Sequence, residues 1–270
     1  MPSRFDTDTT VHPLGGGRYE ARLDPGWWAG PGPNGGYLNA ILVRACEAEI
    51  ADRSRVCRSF TTHFLSKASE GRVELEVVIE RSGRSMSSAR VTMAQEGRTI
   101  AVSLGAFSTA REGPAFTDVT MPVVARPEDI DAPGYEPAVH DLAFPEMARR
   151  YEQRWVTGAR AFTGGDHARI GGWIRLAEPQ AVDAAALAAF ADAWMPAIFS
   201  RVGGPWGITS VDLTVHIRSL PPPGHDGWCY VEFESSASVD GFCEEDGIIW
   251  SGDGTLLAQS RQLMALLPMR

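Results

Sequence analysis

The strongest constraint on the fold is that the chain is written twice. The turn glycines Gly97 and Gly254 stand 157 residues apart, and at that spacing Ile100 meets Leu257, Ala101 meets Ala258 and Ser103 meets Ser260. His63 meets His216 at a spacing of 153, so a few residues of insertion separate the two registers. A repeat of about half the chain means two copies of one unit, each with an apolar face to bury. In the first copy, residues 19–23 alternate as a strand, a helical segment follows, and strands are expected at 60–65, 72–80, 87–94 and 99–107. Residues 72–80 are the clearest case: Val73, Leu75, Val77 and Ile79 point one way, with Glu74, Glu76 and Glu80 opposite. The order recurs as a strand at 170–176, a helix at 183–194, and strands at 211–217, 227–234, 247–250 and 255–267. Asp183 caps that second helix in this reading, and Pro196 ends or kinks it. One helix followed by an antiparallel sheet, twice over, is an α+β architecture. Residues 1–110 and 146–270 hold the two copies. Residues 111–145, with Pro114, Pro122, Pro127, Pro133, Pro137 and Pro145 among acids, read as an irregular linker. Residues 1–17 read as a loose lead-in.

The first helix has an unusual start. Gly30-Pro31-Gly32-Pro33-Asn34-Gly35-Gly36 is a turn, after which Leu38, Ile41, Leu42, Ala45 and Cys46 form one apolar stripe. Asn34 is placed to cap the helix. Gly35 and Gly36 leave the first-turn amides with no side chain over them, at the positive end of the helix dipole. Such amides bind an anionic oxygen; glycines there also serve close packing.

Composition narrows the function. A net charge of −9 over 270 residues argues against a nucleic-acid partner, and local Arg and Lys remain able to bind a small anion. The four cysteines form no Cys-x-x-Cys pair and the six histidines show no metal spacing, so buried free thiols and no metal are expected. No apolar run approaches a membrane span. The acidic N-terminus lacks a signal-peptide pattern, and a cytoplasmic location is expected.

Four stretches carry a family resemblance: Asn34-Gly35-Gly36-Tyr37; His63-Phe64-Leu65 with Gly83-Arg84-Ser85-Met86 and Ala89-Arg90-Val91; Ser210-Val211-Asp212 ending in His216; and Leu257-Ala258 leading to Gln262. In this order they resemble the double hotdog of acyl-CoA thioesterases, the bacterial acyl-CoA thioesterase II group in particular. The resemblance implies hydrolysis of acyl-CoA without a cofactor, and a homodimer of double hotdogs. It also implies a water-handling set at Asp192, Ser210 and Gln262, with Asn34, Gly35 and Gly36 facing the thioester carbonyl. Ser210 stands where relatives often have Thr, and Leu263-Met264 where they often have an acid and a glycine. Lys67, Arg84, Arg90 and Arg218 are candidates for the CoA phosphates. Trp27, Trp28, Trp194 and Trp206 would line an acyl tunnel or pack the core. A binding protein without turnover is the first alternative. A hydratase is the second, for which Asp212 and His216 would be the pair.

The repeat makes a further expectation. Gln262 corresponds to Gly105, Ser210 to about Cys57, and Asp192 to a position near Arg44 or Ala45, with Glu47 close by. The second helix opens on Val182-Asp183, an acid where an oxyanion would need amides. One composite site is expected to be equipped and its twin silent.

Overall fold

The computed structural model describes residues 2–130 and 145–269. Pro133 and Pro137 of the expected linker lie outside them. The first half contains α1 (Arg4–Asp8), β1 (His12–Gly15), β2 (Arg18–Leu23), α2 (Gly35–Ile50), β3 (Val56–Phe64), β4 (Gly71–Ser82), β5 (Met86–Gln95) and β6 (Arg98–Ser108). The second contains β7 (Tyr151–Thr157), β8 (Ala168–Leu176), α3 (Ala184–Phe190), β9 (Trp206–Ile217), β10 (Cys229–Ser235), β11 (Ser238–Val239), β12 (Phe242–Ser251) and β13 (Leu256–Pro268). The strands form one antiparallel sheet in the order β1-β2-β4-β5-β6-β3-β9-β13-β12-β10-β8-β7, with β11 off the path against β12. Each half of that order repeats the other, and each half lays its helix across its part of the sheet. This is the double hotdog.

The two halves meet at β3 and β9 about a local pseudo-two-fold. Thr61 pairs with Thr214, their hydroxyls 3.0 Å apart, flanked by Ser59 opposite His216 and His63 opposite Asp212. The repeat extends to the irregularities. A bulge sets Ser59 and Cys57 opposite Ala106 and Phe107, and an equivalent bulge sets Asp212 and Ser210 opposite Leu263 and Met264. An extra residue in one strand reverses the side-chain alternation beyond it. Plain alternation would put Ser210 on the outer face with Asp212. The bulge at Val211 turns it onto the inner face instead, opposite the buried Met264.

Two expectations about elements are corrected and one strand is added. The lead-in is ordered: Ser3 caps α1, and His12–Gly15 adds an edge strand. A strand at Tyr151–Thr157, which lacks apolar alternation, forms the far edge. The second helix ends at Phe190, not 194. A helical Pro196 would clash with the carbonyl four residues before it, that of Asp192, and the chain there tightens into turns with Asp192 N–H on Ala189 O and Ala193 N–H on Phe190 O. The described part of the linker crosses the outer face of the second half, where Val119, Met121, Val124 and Ile130 cover Trp173, Trp228, Tyr230 and Trp250. Trp173 Nε1 donates to Ala125 O at 2.8 Å.

Candidate active site

Asp192 leaves the end of α3 and meets the start of α2. Asn34 is the N-cap of α2: its Oδ1 accepts from Tyr37 N–H at 3.0 Å. Its Nδ2 donates to the backbone carbonyl of Asp192 at 2.7 Å and to Asp192 Oδ2 at 2.8 Å. Gly36 N–H donates to the same carboxylate oxygen at 3.0 Å. The glycine pair is required by space. A Cβ on Gly35 would stand 2.9 Å from Asp192 Oδ2 and from the Phe64 ring, and one on Gly36 would stand 2.5 Å from Ala189 O. Close packing and bare amides are thus one feature. The glycines let α3 approach, and that approach delivers a carboxylate to the helix N-terminus. The amides expected to face a thioester carbonyl are donated to Asp192.

Gln262, on β13, is buried and joins the carboxylate to the sheet. Ser210 Oγ donates to its Oε1 at 3.2 Å, and the amide stands near enough to Asp192 to help hold that carboxylate ionised. Its Nε2 donates to Glu245 Oε1 at 2.9 Å, across the β12–β13 pair. Glu245 Oε2 accepts from Ala197 N–H at 2.5 Å. Burial raises Asp192 to a pKa of about 6, opposed by the Gly36, Gln262, Gly35 and Asn34 hydrogen bonds. Burial likewise raises Glu245 to about 7, opposed by its two hydrogen bonds and assisted by the charge of Asp192. Asp192, Ser210, Gln262, Asn34, Gly35 and Gly36 are therefore brought together. Glu245 is the member that sequence reasoning missed. The signal that could have found it is its period-two spacing from Cys243 and Gly247, which share its buried face.

Comparisons with known proteins show the family of the chain. Residues 24–108 match the model of the acyl-CoA thioesterase N-terminal domain and residues 126–266 that of the acyl-CoA thioesterase C-terminal domain. The chain belongs to the acyl-CoA thioesterase family. An uncharacterized protein of Mycobacterium tuberculosis is 27% identical, with 93% of this chain and 91% of that protein covered. A hot dog protein of unknown function from Alicyclobacillus acidocaldarius superposes with a TM-score of 0.86 at 25% identity over 100% of both chains. A Thermobifida fusca chain proposed to be a thioesterase II gives 0.83 at 27% identity over 98% of both.

Other candidates fall elsewhere in this family member. The four cations do not converge. Lys67 packs against Gly32 in the loop before α2, Arg90 is paired with Glu80 at 2.8 Å, Arg218 donates to Gln259 at 2.9 Å, and Arg84 is exposed in the β4–β5 turn. Asp212 accepts from Leu263 N–H and His216 is exposed on the outer face, so the hydratase pair does not enter the site. Trp27 is core: it stacks on Tyr37 at 5.2 Å and donates to Asp8. Trp206 is half-buried and donates to Gly203 O. Trp28 and Trp194 carry buried indole N–H groups with no partner among the described residues. Among the described residues, no helix is long and apolar enough to cross a membrane.

The twin position is built differently. Asp183 caps α3 through Ala186 N–H at 2.8 Å, as Asn34 caps α2 through Tyr37. Aligning the caps makes Val43 the counterpart of Asp192, not Arg44 or Ala45, and makes Ala184-Ala185 the counterpart of Gly35-Gly36. Arg44 ties this corner shut: it meets Asp183 at 3.3 Å, Asp6 at 2.7 Å and Thr9 at 2.7 Å. Burial, with the charge of Asp183, raises Glu47 to about 7.

Proposed function

We propose that the chain hydrolyses acyl-CoA to free acid and CoA, with a water activated by Asp192 and held by Ser210 and Gln262. The observation that carries this reading is the Asp192 carboxylate, set against the N-terminus of α2 and within the Gln262–Ser210 network. A general base works best with a pKa near the operating pH, and a value of about 6 meets that condition. Water gives a proton to Asp192 as its oxygen bonds the thioester carbon. The resulting oxyanion collapses, the C–S bond breaks, and the proton passes from Asp192 to the departing thiolate. The Gly35 and Gly36 amides and Asn34 keep Asp192 oriented and ionised. The positive end of α2 lies beside the charge that develops on the carbonyl oxygen.

The test is release of free CoA from acyl-CoAs of graded chain length. Wild type should turn over at least one of them, and Asp192→Asn should lose roughly 100-fold or more in kcat with its melting temperature kept. Turnover by Asp192→Asn at the wild-type rate would remove Asp192 as base. Saturable binding by wild type without CoA release would make the chain a binding protein.

A further inference from the structure

Gln262 poses a problem of orientation. A primary amide keeps its shape when turned over, but its donor and acceptor ends exchange. Ser210 cannot choose between the two states, because a hydroxyl both donates and accepts. A choice requires acceptor-only groups on one side. Glu245 supplies them: both of its oxygens accept, Oε1 from Gln262 N–H at 2.9 Å and Oε2 from Ala197 N–H at 2.5 Å, so a proton on either oxygen would have to displace one of these donors. Ala197 opens the short helical turn Ala197–Ser200 directly after Pro196, so Glu245 also pins the segment that follows Asp192. Both donors to Glu245 are neutral and its exposure is 4%, a costly place for a carboxylate unless its acceptor character is used. The twin corner supplies the control. There the residue across from Gly105 is Ala89, so where there is no amide to orient there is no acid either.

We propose, resting on the hydrolase reading above, that Glu245 is a positioning residue: it locks the Gln262 amide with its N–H side toward Asp192 and its oxygen toward Ser210, and so sets the hydrogen-bond polarity of the water site. The Glu245→Gln variant tests this with little change in shape. Its single amide oxygen stays on the fixed Ala197 N–H, and its NH2 then faces the NH2 of Gln262. Gln262 must turn over, which places its oxygen against Asp192.

The expected result is a fall in kcat of about 10- to 100-fold with KM within about twofold. Adding Gln262→Glu to Glu245→Gln restores a donor–acceptor pair between the two strands. It should not recover kcat, since an acid at 262 presents a second carboxylate to Asp192. A readout independent of turnover is hydrogen exchange of the Gln262 side-chain NH2 by NMR. It should be slow in wild type and in Asp192→Asn, and fast in Glu245→Gln. Equal kcat in wild type and Glu245→Gln, or Gln262 protons equally protected in both, would overturn the role. So would recovery of kcat by the double variant. If wild type releases no CoA from any acyl-CoA, the hydrolase reading fails, and the exchange measurement still decides whether Glu245 locks Gln262.

Discussion

The two corners where a helix N-terminus meets the other helix began as one design and now differ at each position that matters. At the first, Asn34-Gly35-Gly36 receives Asp192, and Ser210, Gln262 and Glu245 stand on the inner face of the sheet. At the second, Asp183 opens Ala184-Ala185 and meets Arg44, and Cys57, Gly105 and Ala89 occupy the matching strand positions. The trade is partly one of volume. A Cβ on Gly105 would stand 2.7 Å from the rings of both Phe60 and Phe107, so two large rings fill that space. Their counterparts beside Gln262 are Leu213 and Met264, which leave room for a polar side chain. Divergence therefore took a paired change: smaller hydrophobes admit the amide and the acid on one side, and phenylalanines exclude them on the other. Charge follows the same division. The first corner keeps a carboxylate on helix amides, while the second places its acid at the cap and neutralises it with Arg44.

Exchanging small residues between the corners should break their difference most sharply. Gly36→Ala puts a methyl 2.5 Å from Ala189 O, so the α3 end must retreat and carry Asp192 with it. Turnover should fall by roughly 100-fold, and stability by about 1–3 kcal/mol in chemical denaturation. The mirror change, Ala185→Gly, should cost only about 1 kcal/mol through helix propensity and leave turnover alone.

Acid titration separates the corners by rate. With Asp192 at about 6, kcat/KM should drop close to tenfold per pH unit below that value. Stability should move the opposite way. Asp192 and Glu245 lie above the ordinary carboxylate range, so between about pH 4 and 7 the folded state holds protons that the unfolded chain has released. Stability then falls as pH rises through that window, and the melting temperature should be higher at pH 5 than at pH 7.5 from these groups. Asp192→Asn should flatten part of that slope.

At the second corner, Gly105→Ala should overpack the Phe60–Phe107 contact. A loss of about 1–3 kcal/mol with unchanged turnover is expected, seen as a lower melting temperature beside a normal CoA-release assay.

Much of this was legible in the sequence because it rests on period and repetition. Alternation along Val73, Leu75 and Val77, and the 157-residue echo of Gly97 in Gly254, are local or linear signals. Asn34 as a cap and Gly35-Gly36 as a bare helix start were readable for the same reason. What escaped depends on pairings between distant strands. The inward turn of Ser210 follows from a bulge that appears only when β9 is set against β13. Glu245 gains its meaning from lying across from Gln262, and acids are ordinary on strands. The early end of α3 was half visible in Pro196; the missing part was how far back its ring acts. Val43 replaced Arg44 as the counterpart of Asp192 once the two caps could be superposed.

The central claim is that a single corner of each chain accepts and processes substrate. Calorimetric titration with a thioether analogue of acyl-CoA, which has no carbonyl–sulfur bond to cleave, tests it most directly. One analogue per chain, with affinity weakened by Gly36→Ala and untouched by Ala185→Gly, is the predicted result. Two equivalent sites per chain, or binding indifferent to Gly36→Ala, would contradict it.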